Sequence, residues 1–237
     1  MPARSSGFIS GATNMNNRYI LEIEHALSQP RLEQYRPRNG SDQDMLETYL
    51  WNIQLSQALV PVLHAAELAL RNTMHATLTD HFDTDQWFYI PDLLEPQQLA
   101  TFATARSRTM QKHKDAATIG HVIAELNFGF WVWVLSGKHE QRIWQPNGFA
   151  LMQAAFPYAG SVSHQHIHQR FDAIRQLRNR VFHFEAIWHF SNLDRRHAET
   201  AEAVRWISPA LGSAIAAIDQ FDAVLNARVR LGKQTDP

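Results

Sequence analysis

Apolar positions along the chain recur at three- and four-residue intervals far more often than at alternate positions, so the pattern predicts helices and almost no strand. A short helix is expected over Tyr19–Leu27, stopped by Gln29-Pro30, followed by a loop at Pro37, Asn39 and Gly40. Ser41 or Asp42 then caps a long helix, with acids in its first turn. Its apolar positions run from Leu46, Leu50 and Ile53 to Leu70, Met74 and Leu78, and Pro61 inside it predicts a kink or a junction. Further helices are predicted from Pro96 to Lys112, from Ala117 to Leu135, over Phe149–Ala155, from Ser161 or Ser163 to Phe184, and from Ala198 to Val229 with a break at Pro209. The expected organisation is a flexible leader over 1–16, one all-α domain over 17–230 with two irregular connectors, and a frayed tail over 231–237.

Composition narrows the chemistry. With 237 residues, 45% of them hydrophobic, the chain can bury a core. A formal net charge of −1 provides no global field to attract nucleic acid, so any such attraction has to be local. The absence of cysteine excludes disulfides, thiolate metal sites and cysteine nucleophiles. The run Phe128–Leu135 reads as the longest apolar stretch and is too short to span a bilayer, and the N-terminus carries no secretory pattern. A cytoplasmic protein with no membrane contact is expected.

The stretch from Phe171 to Glu185 carries the most chemistry. Phe171, Ile174, Leu177 and Val181 follow helical spacing and are expected in the core. Arg175, Asn179 and His183 would form one ridge, with Arg178 about 140° away from His183 on an ideal helix. A bend, or a second copy of the helix, would bring the two to one phosphate. RNA cleavage by the ribose 2′-OH needs a proton carrier near neutral pH, which suits His183. It also needs a fixed cation on the developing charge, which suits the planar fork of Arg178. Asn179 can orient either partner. The trio requires no metal and no cofactor. The competing view is a helix C-terminus whose cations merely complement the dipole.

Arg178-Asn179-Arg180-Val181-Phe182-His183 fits an Arg-x4-His motif, and three blocks give it context: Ala66 to Asn72, Ile123 to Trp131, and Leu177 to Ile187. In these the chain resembles the Abi-like (abortive infection) family of the HEPN superfamily, over most of residues 45–225. The resemblance implies a helical bundle, a homodimer that brings two Arg/His motifs together, and RNA cleavage in phage defence or as a growth-arresting toxin, with an antitoxin as a possible partner. Phe182 and Phe184 depart from the family pattern, in which a second His or a small residue commonly flanks the histidine. A non-catalytic nucleotide-, RNA- or protein-binding module is the alternative, with Arg175 and Arg180 as RNA-binding residues.

Supporting residues are expected nearby. Glu67, Arg71 and Asn72 fall at helical spacing, and Glu67–Arg71 reads as an i,i+4 pair that is either a plain ion pair or a support for the His183 region. His75 is placed on the same polar stripe. Glu125 needs a partner on its apolar helix, with Arg178 or Arg71 the candidates. Glu185 either hydrogen-bonds the His183 imidazole or faces water. His164, His166 and His168 alternate, a spacing that chelates a metal on an extended segment but not on a helix.

Overall fold

The computed structural model describes residues 19–137, 143–144 and 148–228. The expected leader over 1–16 and tail over 231–237 lie outside the described residues. Among those described, the regular structure is all helical. The helices are α1 (19–27), α2 (Gln29–Leu32), α3 (Asp42–Phe82), α4 (Pro96–His113), α5 (Ile119–Glu125), α6 (Phe128–Val134), α7 (Gly148–Ala155), α8 (His164–Phe182), α9 (Leu193–Ile207), α10 (Pro209–Ala216) and α11 (Phe221–Asn226). They fall into two compact units. One takes the described residues of Met1–Ala58, His183–Ser191 and Gln220–Pro237; the other takes Leu59–Phe182 and Asn192–Asp219.

The start of α3 shows how local chemistry sets an element. The Ser41 hydroxyl accepts from the Asp44 amide, and the Asp44 carboxylate accepts from the Ser41 amide and hydroxyl, so orphan donors at the helix start are met reciprocally. The helix continues through Pro61, and the division between the units falls a few residues earlier, after Ala58. Before that point Met45, Leu46, Glu47, Thr48, Asn52 and Leu55 are buried, whereas Ile53 is 45% exposed. Leu46 is buried as expected, but the core face departs from the expected stripe at Ile53, because Thr48 and Asn52 occupy buried positions. Beyond Pro61, Val62, Leu63, Ala66, Leu70, Met74 and Leu78 are buried as expected. By length and composition α3 is apolar enough to cross a membrane, its best window reaching a mean hydropathy of 1.3, which corrects the view of Phe128–Leu135 as the longest apolar run. In this fold 44% of that window is buried.

α1 ends at Leu27 as expected, but the break falls at Ser28, whose φ is 69°, and Pro30 sits in the first turn of α2, where its missing N–H costs nothing. The predicted Ala117–Leu135 helix is two, because the Asn127 side chain accepts from the Phe130 amide at 2.9 Å and starts α6 anew. The last predicted helix breaks at Ser208-Pro209 as expected and breaks once more before Phe221, so it is three. In the first unit, Leu32, Tyr35, Met45 and Ala186 form a core, flanked by Ile23, Leu27, Tyr49 and Trp188.

Candidate functional site: the end of α8 and the turn that follows

The α8 helix begins where the Ser163 hydroxyl accepts from the His166 amide. Phe171, Ile174, Leu177 and Val181 are all buried, so the amphipathic spacing fixes which faces remain for Arg175, Arg178 and Asn179. Arg178 Nε donates to Glu67 Oε2 at 3.0 Å, and its guanidinium carbon lies 4.5 Å from the centroid of the Phe182 ring. Glu67 on α3 thus pairs with Arg178, not with Arg71 as its helical spacing had suggested. Carboxylate and ring hold the guanidinium by its inner edge. The two terminal nitrogens have no hydrogen-bond partner among the described residues, which leaves a planar fork matched to two phosphate oxygens.

Other cations of α8 are placed differently. Arg175 is held by Asp172 at 2.7 Å through Nη2 and 2.9 Å through Nε. Partial burial pushes the Asp172 carboxyl up, but hydrogen bonds from Arg175 and Gln176 outweigh it and hold its pKa below the ordinary value. Asn179 is half-buried with no hydrogen-bond partner among the described residues, and Arg180 is exposed.

The helix ends at Phe182, two residues earlier than predicted, and His183 falls in the other unit. His183 is exposed, in a turn with Phe184. Phe184 has φ 57°, in the left-handed region, and its ring is 74% exposed. Within this unit its carbonyl accepts from Arg31 Nη2 at 2.9 Å and Tyr35 Oη at 3.5 Å. Three residues on, the Asn52 side-chain oxygen accepts from the amides of Ile187 at 2.8 Å and Trp188 at 3.1 Å, and Trp188 Nε1 donates to the Gln34 carbonyl. The exposed Glu185 lies between these anchors. Since a left-handed phenylalanine is strained while its ring buries little, Phe184→Gly is expected to raise stability by about 1 kcal/mol in urea unfolding. An unchanged or lower midpoint would show that the ring contributes packing.

The remaining expectations are redistributed. Arg71 Nη1 donates to the Ala124 carbonyl at 3.1 Å, and Asn72 is exposed. Glu125 pairs with Lys112 at 3.3 Å, with neither Arg178 nor Arg71 as its partner. His75 is not on an open polar stripe: it accepts from Trp87 Nε1 at 3.2 Å and stacks on Phe88, and burial pushes its pKa down. His164 meets the Leu135 carbonyl, and His166 lies beside Arg170. No group of three potential metal ligands occurs among the described residues. A cleft of about 520 Å³ lined by Thr73, Thr77, Asp80, His81 and Leu151 contains none of the residues singled out above. Asn52, Arg31 and Tyr35 were not anticipated as anchors of the turn; the one available signal was an Asn falling in register with Thr48 and Leu55 on α3. Comparison with protein-family models, curated proteins and solved structures finds no match.

Proposed function

We propose that this chain is a metal-independent endoribonuclease of the HEPN type, in which Arg178 and His183 act on one RNA phosphodiester. What carries the proposal is Arg178: Glu67 and Phe182 grip it on one side, its two terminal nitrogens have no partner among the described residues, and an exposed imidazole follows five residues later. In the reaction the 2′-oxygen bonds to phosphorus as the bond to the 5′-oxygen breaks. The Arg178 fork stabilises the charge on the non-bridging oxygens, and His183 exchanges a proton with the entering or leaving oxygen. Asn179 orients the substrate or the imidazole.

The biological setting that goes with this chemistry is phage defence or growth arrest inside the cytoplasm, by a homodimer. The test is a fluorescent single-stranded RNA incubated with the protein in EDTA. Cleavage to 2′,3′-cyclic phosphate and 5′-hydroxyl ends is expected; intact RNA, or cleavage that needs a divalent ion, would rule the mechanism out. An Arg178–Glu67 pair also suits a module that binds RNA without cutting it, and retention without cleavage in the same assay would mark that outcome. Glu67→Ala is expected to slow cleavage by up to about a hundredfold by releasing the guanidinium, with Glu67→Gln recovering part of the loss because an amide oxygen still accepts from Nε. Equal rates in Glu67→Ala and wild type would mean the pair only braces the helices.

A further inference from the structure

We infer that Arg71 holds a second phosphate of the RNA strand, next to the one held by Arg178. The inference rests on the RNA-directed function proposed above. It starts from the cations that α3, α4 and α8 supply and the carboxylates that meet them. Three of these cations already have a carboxylate: Arg178 has Glu67, Arg175 has Asp172 and Lys112 has Glu125. Arg71 differs. Its hydrogen bond goes to the neutral Ala124 carbonyl in the last turn of α5, and it has no carboxylate partner among the described residues. It is a positive charge on the same helix as the Glu67 that grips Arg178.

Position adds to charge. Glu67, which grips Arg178, is four residues from Arg71 on α3, about 6 Å of helix rise and on the same side of the helix. That offset is close to the step between neighbouring phosphates of an extended strand. The Ala124 carbonyl fixes Arg71 through Nη1 alone, and the other guanidinium donors remain for an anion. A strand whose scissile phosphate lies on Arg178 would thus present an adjacent phosphate to Arg71.

Arg71→Gln separates this role from a structural one, because glutamine keeps a donor for the Ala124 carbonyl but removes the charge. The measurement is binding of a short, non-cleavable 2′-O-methyl oligoribonucleotide across a salt series, by fluorescence anisotropy. Arg71→Gln is expected to bind about tenfold more weakly, with the slope of log affinity against log salt reduced by about 0.7, the value for one lost contact to a single strand. Arg195→Gln, which removes an exposed charge on α9 that pairs with Glu199, is expected to change neither. Wild-type affinity in Arg71→Gln, a weaker affinity with an unchanged slope, or an equal loss in Arg195→Gln would each overturn the assignment. Equally Arg71-dependent binding to phosphatidylserine vesicles would overturn it too, by pointing to a lipid surface. If wild type binds the oligomer through Arg71 yet leaves unmodified RNA intact, the subsite stands and the nuclease proposal fails.

Discussion

Replacing His183 by alanine is expected to lower RNA cleavage by about two to four orders of magnitude, the range over which a positioned acid or base accelerates proton transfer. Stability should hold to within about 0.5 kcal/mol, because the side chain is exposed and its removal opens no cavity. That contrast gives the experiment its force: a loss of rate without a loss of fold isolates chemistry. Arg178 behaves differently. Arg178→Ala strands the Glu67 carboxylate, which is 18% exposed, so some destabilisation accompanies the lost rate. Arg178→Lys is the cleaner variant, since it keeps a charge near Glu67 but replaces a two-pronged donor with a point charge. Rates are read on a labelled single strand in EDTA, with folding checked by circular dichroism. Undiminished cleavage by His183→Ala would remove the imidazole from the mechanism.

Asn52→Ala is expected to cost about 3 kcal/mol, the largest stability effect among these substitutions. The side chain is 3% exposed, and its oxygen is the acceptor for two backbone amides, one of them in a buried bond. Truncation leaves both donors without that partner, at about 1–3 kcal/mol each. Asn52→Asp keeps an acceptor of the same shape and is expected to be the milder change despite the cost of burying charge. Urea unfolding monitored by tryptophan fluorescence measures both; an Asn52→Ala midpoint equal to wild type would show that water takes over the two amides. Because the amides belong to Ile187 and Trp188, the loss should also loosen the segment that begins at His183.

Helix content was readable in the sequence because the apolar stripes of α4, α8 and the later part of α3 repeat with helical spacing and few interruptions. The early part of α3 was readable as helix, but its buried face was not, since Thr48 and Asn52 stand where the stripe calls for apolar residues; the distant amides of Ile187 and Trp188 that Asn52 accepts from give no signal in the spacing. The break at Asn127 was hidden for a related reason: an N-cap inside an aromatic run is a single residue against many. Of the candidate site, the residue types could be read from the sequence, but neither the exposure of His183 nor the partners of Arg178 could. Glu67 lies 111 residues from Arg178 in sequence and four from Arg71, and spacing favoured the nearer cation. Which of two possible ion pairs forms is decided by how α3 and α8 pack, a long-range choice that helical periodicity does not encode. The end of α8 was misjudged because a phenylalanine gives no signal for a left-handed residue.

The turn after α8 is pinned by its own unit at both ends, by Arg31 and Tyr35 on the Phe184 carbonyl and by Asn52 on the next two amides. A loop stapled this way is a poor flap. In an enzyme built on it, adaptation to the in-line geometry would fall to the nucleic acid, and pliable unpaired stretches would be cut in preference to stacked duplex.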